Sequence, residues 1–151
     1  FAIRSGNTNL RIAGNMQVQA EASAATQQVI EQVIEQIKVT EDLSLMPQQS
    51  VAVSVGAVTY TVTVSPMNKC IFELPVLNEA LNPANSNDLP CFQSADGDVQ
   101  FSASGAAIGK PSACKSQQWD IEAKVDDSAT GAKVTHVQGI AVRVPATVKC
   151  L

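Results

Sequence analysis

The stretch VIEQVIEQI, residues 29–37, decides how the N-terminal part of the chain folds. Its aliphatic residues recur at one- and three-residue intervals, which place them on one face of an α-helix. Glutamate and glutamine occupy the opposite face. We therefore predict an amphipathic helix that packs on its own domain here and buries all five aliphatic side chains, which are Val29, Ile30, Val33, Ile34 and Ile37.

The helical pattern extends far beyond this stretch towards the N-terminus. No proline occurs in residues 5–38, and alanine, glutamine and glutamate, which favour helices, dominate there. About 34 helical residues span about 50 Å, whereas the rest of the chain, packed compactly, measures about 35 Å across. We predict a helix over residues 5–38 whose N-terminal half, with Ile12 and Met16 on one face, projects from the domain or is covered by another molecule.

After the helix, a two-residue alternation replaces the helical period. Valines alternate with small or polar residues over residues 51–55 and 58–64, on either side of Gly56 and Ala57. Two β-branched runs joined by a short turn predict an antiparallel hairpin over residues 51–64, with residues 58–64 as a core strand rather than an exposed edge. Apolar and polar residues alternate again from Trp119, which predicts a C-terminal hairpin over residues 119–144.

Residues 65–118 hold most of the prolines and asparagines and three of the eight glycines, and they predict a loop-rich region with one short strand near residues 99–102. A loop region of this length needs a covalent or packed tether. The whole pattern predicts one α+β domain over residues 1–151. Its long N-terminal helix packs on an antiparallel sheet of about four strands, and disulfides tie its loops.

The four cysteines, Cys70, Cys91, Cys114 and Cys150, are widely spaced and contain no C-x-x-C pair. Zinc sites usually take closely spaced ligands, so we predict two disulfides and an oxidising compartment; the alternative is four buried free thiols. Pairing Cys70 with Cys91 and Cys114 with Cys150 closes the shortest loops and is the preferred connectivity. Two other connectivities stay open.

The composition argues against several classes of function. The net charge of −4 offers no basic surface for nucleic acid. With one histidine and no G-x-S-x-G or H-E-x-x-H motif, we predict no enzyme, no cofactor and no small-molecule substrate. His136 is interpreted as a sheet-surface or half-buried side chain rather than a catalytic base. Residues 105–110 are one residue short of a phosphate loop, and Pro111 replaces the required serine or threonine.

Two aspartates are weak candidates for a metal site. Asp96 and Asp98 flank Gly97 and could join Asp88 as calcium ligands, because hard cations favour clustered carboxylates. No ordered D-x-D-x-D run with a distal glutamate accompanies them. A polar turn is therefore the preferred interpretation, and no metal is predicted.

The stretch NTNLRIAGNMQ, residues 7–17, resembles the N-terminal region of PilX-type minor pilins of type IV pili. In that family a membrane helix runs into a segment of the form N-x-x-L-R-x-A-x-N-x-Q, followed by an alanine-rich amphipathic helix and a disulfide-bearing sheet domain. Residues 134–140 also look like the last hairpin of such proteins. The resemblance covers about the first 37 residues and, less specifically, the final 35. The matching residues are Leu10, Arg11, Ala13, Asn15 and Gln17.

The resemblance implies a pilin-like fold and a structural role. PilX-type proteins are anchored in the inner membrane by an N-terminal helix, which we expect before Phe1. They join other minor pilins in a complex that primes pilus assembly, and they lie at or near the pilus tip, where they present an adhesin. The expected localisation is the bacterial inner membrane, the periplasm and the extracellular pilus, with Ile12 and Met16 contacting neighbouring subunits. The alternative is a secreted or periplasmic domain that binds a ligand or calcium.

Overall fold

The computed structural model describes residues 2–92, 103–104 and 109–151, and along residues 2–13 it describes the backbone alone. The described strands form a five-stranded antiparallel sheet in the order β1-β2-β4-β3, with β5 paired to β4. One helix packs on this sheet, which is the predicted α+β layout. The helix and strands are α1 (Ala2–Ile37), β1 (Gln49–Val55), β2 (Val58–Val64), β3 (Phe72–Leu77), β4 (Pro111–Asp127) and β5 (Ala132–Pro145).

The chain divides into two compact units. The first contains Phe1–Met67 and Ile121–Gln138, and the second contains Asn68–Asp120 and Gly139–Leu151. The first unit therefore holds α1, β1, β2 and the turn between β4 and β5. The second holds β3, both disulfides and the C-terminal residues.

In the first unit, β1 and β2 form the hairpin predicted over residues 51–64, with β1 beginning at Gln49. The turn between them contains Gly56 at φ +63°, in the left-handed region that glycine adopts without strain. The other edge of β2 pairs with β4, where Val62 lies opposite Val125. This places β2 inside the sheet, as predicted, and α1 contacts both β1 and β2.

The core of the first unit lies between one face of α1 and the sheet. Thr26 is fully buried there, and its hydroxyl donates to the carbonyl of Ser23 at 2.7 Å, so its polar group is satisfied. Ile34, which the sequence predicts to be buried, is half-buried, because it lies at the margin of the apolar face. The buried helix residues are Ala22, Ala25, Thr26, Val29, Ile30, Val33 and Ile37, and sheet residues in the core include Tyr60, Val62, Val64, Ile121, Ala123 and Val125.

The second unit contains strands that the sequence analysis missed. Residues 65–118 are predicted as loop, but β3 lies within them and β4 begins at Pro111 rather than Trp119. Pro75 argues against a strand at β3, because proline lacks the N–H group that strand pairing uses. An edge strand such as β3 nevertheless tolerates it. Buried Gln117 breaks the apolar alternation of β4. The strand predicted over residues 99–102 lies outside the described residues.

The two predicted disulfides are confirmed, but the preferred pairing is wrong. Cys70 pairs with Cys150, and Cys91 pairs with Cys114. The shortest-loop preference considers only the unfolded chain, whereas the fold brings the C-terminal segment back to β3. There the Cys70 N–H donates to the Leu151 carbonyl at 2.9 Å.

Candidate functional site

The helix α1 changes character along its length. Over residues 14–20 the described side chains are exposed, apart from half-buried Val18, and Met16 is 69% exposed. Ala22 is the first buried residue whose side chain is described, and from there the buried face continues to Ile37. Among the described residues, nothing therefore covers most side chains of residues 14–20. Ile12 lies where side chains are not described, and its role and that of Met16 in subunit contacts stay predictions.

An anchor fixes α1 to β2 where the exposed part of the helix ends. The hydroxyl of Tyr60, a fully buried residue, donates to Oε2 of Glu21 at 2.9 Å. The other carboxylate oxygen of Glu21 accepts from Nε2 of Gln17 at 3.1 Å. The sequence offers one clue to this contact, because Tyr60 occupies an inward position of β2 and a buried tyrosine hydroxyl needs a partner. The sequence separation of 39 between the two partners matches no recognisable helix or strand period.

Burial raises the pKa of Tyr60 above its ordinary value of 10, and the hydrogen bond to Glu21 raises the pKa further. Since the folded state holds this proton more tightly than the unfolded state, the resulting stability is present below pH 10 and is lost as the pH rises above it. We expect Tyr60→Phe to cost about 0.5–1.5 kcal/mol at pH 8, the usual net value of one hydrogen bond.

The same variant should lose less stability than the wild type between pH 8 and a pH above 10. Urea unfolding at both pH values measures the difference, and the other alkaline titrations cancel in the comparison. An identical alkaline loss in both proteins would contradict the anchor.

A serine–histidine contact joins α1 to β5. The Oγ atom of Ser23 lies 2.8 Å from Nε2 of half-buried His136. A hydrolytic pair needs a group that orients the imidazole and donors that bind an oxyanion. Among the described residues no carboxylate contacts this ring, and the N–H of Ser23 lies within a continuous helix. We interpret the contact as one that positions β5 on the helix.

A polar network in the second unit holds the C-terminal segment on β3 and β4. The Trp119 indole donates to Oε1 of buried Gln117 at 3.2 Å, and Nε2 of Gln117 donates to Glu73 and to the Val148 carbonyl. Lys115 donates to Glu73 at 3.0 Å and, as the largest influence, lowers the pKa of that carboxyl. These bonds and the disulfide between Cys70 and Cys150 make this segment a fixed part of the unit.

Of the three aspartates that are weak calcium-ligand candidates, only Asp88 lies among the described residues. Asp88 is buried, accepts from the Asn82 N–H at 2.8 Å and forms an ion pair with Arg143, a contact that no sequence pattern indicated. Asp96 and Asp98 lie outside the described residues, as do residues 105–108 of the phosphate-loop-like stretch. No group of three or more potential metal ligands occurs among the residues that the structure describes.

Comparisons with family models, curated proteins and solved structures each found no match. Among the described residues, no helix is both long enough and apolar enough to cross a membrane. Three features of the chain bear on its function. They are the uncovered part of α1, the disulfide-tied second unit and the sequence of residues 7–17.

Proposed function

We propose that the chain is a minor pilin, a structural subunit that primes type IV pilus assembly, lies at or near the pilus tip and presents an adhesin there. The observation that carries this proposal is the change along α1 from exposed side chains at residues 14–20 to buried ones from Ala22 onward. A fibre subunit needs one part of a helix to hold its own domain and another part to contact neighbouring subunits.

The dimensions of α1 support this division of roles. Its 36 residues span about 54 Å, while the buried face from Ala22 to Ile37 accounts for about 23 Å of that length. Most helical stability in proteins comes from packing of an apolar face rather than from intrinsic propensity. A long helix that leaves Met16 uncovered therefore gains stability when neighbouring subunits cover it.

The second unit supports a role in binding other proteins. Its two disulfides favour an oxidising location outside the cytoplasm, such as the periplasm and the pilus. Contiguous exposed apolar side chains often mark protein interfaces, and exposed Phe72 and Leu74 lie on the same face of β3. We assign further contacts, with the adhesin and with other minor pilins, to this unit, whose exposed large apolar residues among those described are Ile71, Phe72, Leu74, Leu89, Phe92 and Leu151.

Gene deletion in the bacterium that encodes the chain tests the proposal. A strain without the gene should lose most of its surface pili, and expression of the gene in trans should restore them. Immunogold labelling of sheared pili should place the protein at one end of the fibre. Wild-type piliation in the deletion strain, together with protein found only free in the periplasm, would contradict a role in pilus priming.

A further inference from the structure

One edge of the sheet in the first unit is β1, which pairs with β2 alone among the described strands. Edge strands are usually protected from pairing with other chains by proline, by charged side chains or by bulges. Residues 49–55 contain no proline and no charged residue, and the register with β2 runs without a bulge along the whole strand. By these criteria β1 is an unprotected edge.

The turn that follows β1 determines which main-chain groups of this edge point outward. It contains two residues, Gly56 and Ala57, of which only Gly56 has a positive φ, as in a type II′ turn. The residues that close such a turn, here Val55 and Val58, form a hydrogen-bonded pair. Hydrogen-bonded pairs recur at every second residue of an antiparallel ladder. The N–H and C=O groups that point away from β2 therefore belong to Ser50, Ala52 and Ser54.

Nothing in the described part of the chain occupies these outward main-chain groups. All three residues are exposed. Apart from the ladder with β2, the described residues make no main-chain hydrogen bond to residues 49–55. The side chains of Gln49 and Ser54 do form hydrogen bonds, but their partners are other side chains. The edge is therefore open to a further strand.

The sequence of β1 fits a second copy of itself. Ala52 is the middle residue of the strand, and residues 50–54 read Ser-Val-Ala-Val-Ser in both directions. In an antiparallel pair with a two-fold axis at Ala52, each serine lies opposite a serine of the second copy and each valine opposite a valine. Residues that point outward then meet only residues that point outward, so each such pair exchanges two hydrogen bonds. The pairing brings no like charges together and leaves no charge without a partner.

We propose that two copies of this chain associate by antiparallel pairing of their β1 strands about Ala52, which joins their sheets into one continuous sheet. The contact is a single strand edge, so its buried area is small and the dimer is weak and reversible. This inference goes beyond the pilus role and does not depend on it. The exposed part of α1 and the second unit take no part, so assays of piliation and of self-association can fail separately.

Disulfide trapping tests the register. In the proposed dimer the Cα atoms of the two copies of Ala52 lie about 5.5 Å apart, within the range of a disulfide. Thr61 lies opposite Ala52 on β2 and is also exposed, but its two copies are about 15 Å apart because each lies one strand further from the axis. Ala52→Cys should therefore form a covalent dimer under mild oxidation much faster than the matched control Thr61→Cys.

Peptide mapping should place the new bond between the two introduced cysteines, with both native disulfides retained. Equal rates of cross-linking for the two variants, or no covalent dimer of Ala52→Cys, would overturn the proposal.

Analytical ultracentrifugation of the purified chain, from micromolar to millimolar concentration, tests association without a cross-link. The mass should rise from monomer towards dimer. Ala52→Lys should weaken association roughly fivefold or more, because it places like charges directly opposite each other on the paired edge. Thr61→Lys adds the same charge on the neighbouring strand and should weaken association much less. Thermal melts establish that both variants are folded, as expected for exposed positions.

Hydrogen exchange locates the contact. At the higher concentrations, exchange should slow at the outward amides of Ser50, Ala52 and Ser54 and stay unchanged at Val51 and Val53, whose amides already bond to β2. A monomer at millimolar concentration would overturn the proposal and would leave the edge to a different protein. Association that Ala52→Lys does not weaken, or protection confined to other elements, would also overturn it.

Discussion

Truncation of Ile30 to alanine should lower the free energy of unfolding by about 2–5 kcal/mol, whereas truncation of Met16 should change it by less than about 0.5 kcal/mol. Both residues lie on α1, but Ile30 is 7% exposed in the core and Met16 is 69% exposed. The loss at Ile30 combines lost apolar burial with the cavity left behind. Urea unfolding of the two variants at one pH measures the difference directly.

Ile34→Ala supplies an internal control for this comparison. Its side chain is half-buried at the margin of the core, so its cost should fall between the other two. Equal losses at Met16 and Ile30 would mean that the N-terminal part of α1 is packed on its own domain. The physical basis for a helix shared between subunits would then be lost.

Removing the bridge between Cys70 and Cys150 should destabilise the chain more than removing the bridge between Cys91 and Cys114. The sequence separations are 80 and 23 residues, for which loop-closure entropy gives about 4.5 and about 3.5 kcal/mol. The first bridge also holds the C-terminal segment on β3. Double alanine variants of each pair, unfolded in urea without reductant, measure the two losses.

The same two bridges can be verified chemically. Proteolysis without reduction, followed by mass spectrometry, should recover peptides that link Cys70 to Cys150 and Cys91 to Cys114. Recovery of a peptide that links Cys70 to Cys91 would contradict the fold of the second unit. A larger loss of stability from the pair at Cys91 and Cys114 would contradict the expected order.

The first unit could largely be predicted from its sequence because its signals are local and regular. The aliphatic spacing of residues 29–37 indicates a packed helix, and the valine alternation of residues 51–64 indicates a hairpin. The helical repeat and the two-residue alternation each recur several times within their segment, so several residues support each prediction. The half-buried position of Ile34 was missed because spacing gives the direction of a face but not the width of the sheet that covers it.

The second unit could not be predicted in the same way because distant residues stabilise it. Gln117 is buried through hydrogen bonds to Trp119, Glu73 and Val148, and buried Asp88 has Arg143 as its partner. A buried polar residue looks like a surface residue until its partner is known. The disulfide connectivity likewise depends on which segments the fold brings together. The contacts Tyr60–Glu21 and Ser23–His136 in the first unit were missed for the same reason.

The most direct test of the pilin account is piliation of the deletion strain complemented with two charge variants of the protein. Met16→Glu places a carboxylate on the uncovered part of α1, and Val39→Glu places one just after the helix, at a residue that is 84% exposed. Neither change should alter the thermal stability of the purified chain. The account predicts that Met16→Glu abolishes or strongly reduces surface pili while Val39→Glu restores them to the wild-type number. Wild-type piliation with Met16→Glu would contradict it.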